Sequence, residues 1–85
     1  MSYTVYLSSR AERDRRKLPE DIRQRIDTAL LELERDPRPP NCVKLKGIDE
    51  WRIRVGDYRI RYRIDDKTRT VTITRIAHRR EVYEE

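Results

Sequence analysis

Between Trp51 and Ile64 the chain reads Trp-Arg-Ile-Arg-Val-Gly-Asp-Tyr-Arg-Ile-Arg-Tyr-Arg-Ile, with a guanidinium at alternate positions on both sides of a Gly-Asp pair. Arginine is a planar, permanently charged fork that takes phosphate oxygens two at a time. Strands send successive side chains to opposite faces, and glycine at the first central position suits a tight type II′ hairpin. With Gly56-Asp57 as the turn, Val55 faces Tyr58, Ile53 faces Ile60 and Trp51 faces Tyr62. The same register sets Arg52 beside Arg61 and Arg54 beside Arg59. One face is then apolar and aromatic, and the other is arginine. Like charges opposed across strands are destabilising, so this face calls for an anionic partner to offset the repulsion.

The charge of the whole chain points the same way. Net charge is +5 over 85 residues, but it is unevenly spread. From Arg10 to Asp36 eight basic residues meet eight acidic ones; from Arg38 to Arg80 thirteen basic residues meet five acidic ones, a net of +8, which the terminal Glu81, Glu84 and Glu85 reduce. The balanced half reads as a solvated helical surface and the basic half as an electrostatic footprint for phosphates. Lys44 and Lys46 belong to that footprint, either as phosphate contacts or as solvated sheet-edge charges. Arg61 and Arg63 likewise read either as substrate contacts or as a solvated sheet face.

Other chemistries find little support. The length predicts one domain over 1–85 with a modest core. A charged fraction of 44% would suggest disorder, but the apolar residues are strictly periodic, which argues for a fold. Cys42 is a single cysteine, so no internal disulfide forms, and a reducing compartment is expected. It reads as a small packed residue, with no base at a defined spacing to make it a nucleophile. Glu32, Glu34 and Asp36 read as helix-surface charges, without a paired-carboxylate or metal-ligand pattern. Gly47 and Gly56 are the two glycines, too few for a phosphate-cradling loop. The expectation is no metal, no cofactor, no membrane association and a cytoplasmic location, there being no apolar run of membrane-spanning length.

The elements that must position the arginines follow from periodicity. Tyr3 to Ser8 predicts a strand, with Tyr3, Val5 and Leu7 on one face. Ser8 or Ser9 caps a short helix over Arg10 to Lys17, with Ala11 and Leu18 its buried positions. Leu18-Pro19-Glu20-Asp21 breaks and restarts the helix. Ile22, Ile26, Ala29, Leu30 and Leu33 then form one apolar stripe, ending at Asp36 before Pro37, Pro39 and Pro40. After the arginine hairpin, Thr70 to Ile76 is β-branched and strand-like. The fold class is α+β in the order βααβββ: a helical hairpin packed on a small, twisted, mainly antiparallel sheet whose other face is open and basic. The conformation of Ala77 to Glu85 is not set by pattern.

Lys44-Leu45-Lys46-Gly47, the Trp51–Ile60 run and Ile76-Ala77-His78-Arg79-Arg80-Glu81-Val82-Tyr83 together resemble the RelE/ParE toxin superfamily of bacterial and archaeal toxin–antitoxin systems, over essentially the whole chain. The Val-Gly-Asp-Tyr-Arg hairpin is shared across that superfamily, whereas the ending His78 to Tyr83 is similar to the RelE branch. RelE-type toxins cleave messenger RNA in the ribosomal A site without metal. ParE-type toxins instead poison DNA gyrase and generally lack the terminal Arg/Tyr set. The resemblance implies a ribosome-dependent mRNA endoribonuclease, with a gyrase inhibitor as the alternative and a purely nucleic-acid-binding relative as a third reading. It also implies a cognate antitoxin, with heterotetrameric assemblies common.

By the same resemblance Arg59 and Arg79 fall where the scissile phosphate is held. Arg52 and Arg54 fall where several relatives carry lysine, and Tyr83 aligns with the terminal catalytic tyrosine. Arginine is a poor general base because its pKa exceeds 12. Proton transfer therefore points to Tyr83 or to His78, the one side chain whose unperturbed pKa lies near neutrality; a structural hydrogen-bonding role for His78 is the other reading.

Overall fold

The computed structural model describes residues 2–81. Strand β1 (Thr4–Leu7) leads into helix α1 (Ser9–Arg16) and helix α2 (Glu20–Arg35). A two-residue strand β2 (Val43–Lys44) precedes β3 (Trp51–Val55), β4 (Tyr58–Asp65) and β5 (Thr70–His78), and a 3-10 turn follows over Arg79–Glu81. The five strands form one sheet in the order β1-β5-β4-β3-β2. Only β1 runs parallel to its neighbour, through the pairs Thr4 with Thr70 to Leu7 with Ile73.

Both helices start and stop for local reasons. Ser8 lies in extended conformation and its hydroxyl accepts from the Ala11 N–H, as an N-cap should. Pro19 sits at the cap of α2, and Glu20 and Asp21 place negative charge on its positive end. The stripe Ile26, Ala29, Leu30 and Leu33 is buried against the sheet. There it meets Ile53, Ile60, Tyr62, Val71 and Ile73, the last four fully buried. Burying each such large side chain contributes roughly 1.5–3 kcal/mol. Tyr62 carries a polar tip into this core, and its hydroxyl donates to the Pro37 carbonyl at 2.7 Å. The same bond anchors the proline-rich connection to the sheet. Burial, together with nearby Cys42, pushes the Tyr62 phenol pKa up, so it stays a neutral donor.

The structure departs from the expected order βααβββ at two places. Val43–Lys44 adds a fifth, edge strand, pairing with Arg52 and Trp51. It was not legible because two residues carry no periodicity. The last strand also runs to His78 rather than stopping at Ile76. Within it the register slips: Arg61 pairs with Arg75 but Tyr62 with Ile73, leaving Thr74 as the extra residue of a bulge. Val71 and Ile73 therefore face the core before the bulge, and Ile76 faces it after. The sequence signal is the step from alternate spacing (71, 73) to Ile76, where strict alternation would have pointed Arg75 inward.

β5 outlasts its neighbour β1, which ends at Leu7, and this exposes a sheet edge. Asp14 of α1 closes it: its Oδ2 accepts from the Ile76 N–H at 3.0 Å and from Arg75 Nε at 3.1 Å. The two helices are tied by Arg15, whose guanidinium donates to both oxygens of Asp27 at 2.8 and 2.7 Å. Those hydrogen bonds, with the charge of Arg15 behind them, hold the Asp27 carboxyl below its ordinary range. A depressed folded-state value contributes stability above the unfolded pKa of about 3.9 and loses it as pH falls through the folded value. Both side chains are partly exposed, so solvent screening keeps the pair to about 1 kcal/mol or less. Asp27→Asn should therefore lower urea-unfolding stability by roughly 0.5–1 kcal/mol at neutral pH. The difference should shrink as pH falls through the depressed folded-state pKa of Asp27 and the carboxylate of the wild type is lost.

Candidate nucleic-acid interface

The hairpin forms in the expected register. Trp51 pairs with Tyr62, Arg52 with Arg61, Ile53 with Ile60, Arg54 with Arg59 and Val55 with Tyr58. Gly56 has φ +60° while Asp57 stays at negative φ, the pattern of a type II′ turn. A second constraint acts on Gly56. A Cβ there would stand 3.1 Å from a guanidinium nitrogen of Arg25, which reaches over the turn from α2. Arg25 and Arg54 line one groove of about 410 Å³ beside Val55 and Gly56. Arg25 was missed from sequence because it belongs to the charge-balanced helical half.

Arg79 joins the arginines at the hairpin tip. β5 continues past its pairing of Ala77 with Arg59 and His78 with Tyr58. The backbone N–H of Arg79 then donates to the Asp57 carbonyl at 2.7 Å, and its Nε lies 4.0 Å from the Asp57 carboxylate. Burial and the fields of Arg54 and Arg79 lower the Arg59 pKa from its ordinary value. Burial and the fields of Arg54 and Arg59 do the same to Arg52. Each still stays charged at neutral pH. Four guanidinium groups from β3, β4 and the turn after β5 thus feel one another, with Arg54 and Arg79 exposed and Arg52 buried. Such a cluster favours an anion that can accept hydrogen bonds from several sides.

The basic face is not wholly arginine, as alternation alone suggested. Glu50, just before β3, is only 7% exposed and lies on this face. Its Oε1 accepts from Arg61 Nε at 3.0 Å, and its Oε2 is 3.7 Å from Arg63 Nε. Part of the anionic compensation is therefore internal. Glu50 divides the face into a partly neutralised end, with Arg61 and Arg63, and the more positive tip of Arg52, Arg54, Arg59 and Arg79. Lys44, on the edge strand, donates to the Ile48 carbonyl at 2.9 Å and lies 6.0 Å from the Trp51 ring centroid, while the Arg38 guanidinium lies 5.2 Å from that ring. Lys46 is exposed.

His78 goes elsewhere. It pairs with Tyr58, which points to the helix side of the sheet, and the two rings meet edge-on with centroids 5.3 Å apart. Its Nδ1 accepts from the Arg80 N–H at 3.2 Å. Strand alternation thus sets His78 and Arg59 on opposite faces of the sheet. Tyr83 lies outside the described residues. Among the described residues no three His, Cys, Asp or Glu side chains come together to hold a metal ion, and no helix is long and apolar enough to cross a membrane.

Comparison with known proteins places this arrangement. Residues 5–83 match the family described as the ParE toxin of type II toxin-antitoxin system, parDE. The chain is 38% identical over 85 residues to Toxin RelG of Mycobacterium tuberculosis, covering 98% of each protein. Its fold is similar to the toxin–antitoxin complex RelBE2 of M. tuberculosis, at a TM-score of 0.84 and 34% identity, over 92% of this chain and 99% of that one. It is equally similar to the RelE–RelB complex of Pyrococcus horikoshii, at 0.84 and 27% identity, over 96% and 100%. With nearly its full length matched and its guanidinium-lined hairpin in place, the chain belongs to the ParE toxin family of type II toxin–antitoxin systems, within the RelE/ParE superfamily.

Proposed function

We propose that this toxin is a ribosome-dependent messenger-RNA endoribonuclease, and that the hairpin tip holds the scissile phosphate. The observation that carries the reading is the meeting of Arg54, Arg59 and Arg79, backed by Arg52, at one end of the sheet. In the reaction the 2′-oxygen attacks phosphorus as the bond to the 5′-oxygen breaks. The 2′-hydroxyl proton is lost and a proton reaches the leaving oxygen, giving a 2′,3′-cyclic phosphate and a 5′-hydroxyl. Negative charge builds on the phosphoryl oxygens between these events, and fixed guanidinium groups stabilise it there.

None of the four arginines serves as base, because each stays protonated. His78 faces away, which leaves Tyr83 to orient the nucleophile or stack on a base, with the ribosome supplying the alignment of the RNA. Lys44, Lys46 and Arg61 extend the contact along the strand backbone. The toxin acts in the cytoplasm, where translating ribosomes are. Its partner is a cognate antitoxin that lays an acidic or amphipathic segment, folding as it binds, over the basic face.

Arg59→Ala and Arg79→Ala should each reduce cleavage of translating mRNA by roughly 10²–10³-fold while leaving thermal unfolding nearly unchanged. Primer extension after brief expression reads this as loss of codon-positioned cuts. Intact mRNA with double-strand DNA breaks in the wild type would favour gyrase poisoning instead. Glu50→Gln should release a cation from its internal carboxylate, raising affinity for a non-cleavable RNA and steepening the log–log salt dependence by about 0.7. Fluorescence anisotropy over a salt series checks it, and weaker binding would make Glu50 a support for the arginines rather than a competitor of the RNA.

A further inference from the structure

Arg79 reaches the hairpin tip on a stretch of β5 that has outrun its parallel neighbour. β1 ends at Leu7, opposite Ile73, so the backbone N–H groups on the outer edge beyond that pair need other acceptors. The Ile76 N–H donates to Asp14 Oδ2 at 3.0 Å, and the His78 N–H donates to Glu81 Oε1 at 3.1 Å. The inner edge bonds to the hairpin, ending with the Arg79 N–H on the Asp57 carbonyl at 2.7 Å. The Arg80 N–H is then turned back onto His78 Nδ1 at 3.2 Å.

Two of these bonds are reciprocal. The His78 ring accepts from the backbone of the 3-10 turn Arg79–Glu81, and the Glu81 carboxylate accepts from the backbone of His78. That is the wiring of a capping box, in which the residue before a helical turn and the acid three positions on satisfy each other's donors. Histidine here stands where serine or threonine is usual. An acceptor at Nδ1 puts the proton of the neutral ring on Nε2. The ring also stands edge-on to Tyr58, which braces the cap against β4. Arg79 is the first residue of the turn, with an exposed side chain 4.0 Å from the Asp57 carboxylate. Its aim is set by the backbone beneath it.

We infer that His78 and Glu81 are positioning residues: their box fixes the turn that aims Arg79 at the anion held by the hairpin tip, and it closes only while His78 is neutral. The inference rests on the phosphate-holding role proposed for Arg79. An imidazolium has no acceptor, so protonation sets an Nδ1 donor against the Arg80 N–H. The cavity that His78 lines is faced by Arg10, Arg13, Asp14 and Lys17 of α1, Tyr58 of β4, Arg75 of β5 and Glu81 of the turn. Asp14 is engaged by Arg75, and Glu81 by the His78 N–H itself. Cleavage therefore falls as His78 gains a proton. A general acid behaves in the opposite sense, because it needs that proton.

The test uses the full chain with His78→Ala, His78→Asn, Glu81→Ala and Glu81→Gln, each alone and with Arg79→Ala, and circular dichroism melts to establish folding. Asparagine keeps an acceptor at the cap, and glutamine keeps one three positions on. His78→Ala should slow mRNA cleavage on saturating ribosomes by roughly 10–10²-fold, the scale of a misplaced group. Glu81→Ala should lose a smaller share, and His78→Asn and Glu81→Gln should restore most of the rate. As pH falls from about 8 to 6, a range in which imidazoles gain a proton, the wild type should lose rate relative to His78→Asn. Full rate in a folded His78→Ala would overturn the inference. So would a His78→Asn as slow as His78→Ala, since the ring would then be transferring a proton itself. Affinity for an RNA with a 2′-deoxy cleavage site, read by anisotropy, separates this inference from the nuclease reading. His78→Ala should weaken it roughly threefold or more, and the loss should vanish when Arg79 is already alanine. That coupling in a chain without cleavage sinks the nuclease reading and keeps this one; additive losses beside intact cleavage do the reverse.

Discussion

Cross-strand pairing of arginine with arginine is the constraint around which this molecule is arranged. Arg52 with Arg61 and Arg54 with Arg59 stand in register on β3 and β4, and each such like-charge pair costs some tenths of a kcal/mol to about one. The opposite face outweighs that cost: Ile53, Ile60 and Tyr62 are buried on the same two strands, each contributing roughly 1.5–3 kcal/mol. The core therefore holds the register, and the charged face has to accept it. Glu50 relieves one end of the strain through Arg61 and Arg63. The other end, at the Gly56 turn, stays strongly positive, and that is where Arg79 arrives.

The bulge at Thr74 and the carboxylate of Asp14 do related work at the far side of the sheet. β5 must run beyond β1 for Arg79 to reach Asp57, so its outer edge would be left bare between Thr74 and His78. Asp14 accepts the Ile76 N–H and the Arg75 guanidinium together, which satisfies an otherwise orphaned backbone donor and docks α1 on the same stretch. α1 thereby supports the segment that delivers Arg79, and its remaining cations are turned outward.

Much of this was readable in one dimension. Alternation about Gly56-Asp57 was enough to place every pair of the β3–β4 hairpin, because a period of two and a tight turn leave one register compatible with a buried face. The helical stripe from Ile26 to Leu33, the break at Pro19 and the stop before Pro37 were legible for the same reason: they are local, and their physics is backbone geometry and periodic burial. The cluster of candidate arginines on β3 and β4 came with the hairpin.

What the chain order could not show depends on contacts between residues far apart in it. Glu50 counts as one acid among five in the basic half, and only its burial beside Arg61 makes it a divider of the basic face. Arg25 and α1's Arg10, Arg13 and Lys17 sit in a segment whose net charge is zero, and tertiary ion pairs decide which of its charges remain available. His78 lies one residue from Arg79, yet the pleat and the bulge send it to the other side of the sheet. Local periodicity determined the elements and the hairpin's two faces; the assignment of each charge to a partner, a cavity or solvent awaited the packing of α1 and β5, because electrostatic pairing follows distance in space and not position in the chain.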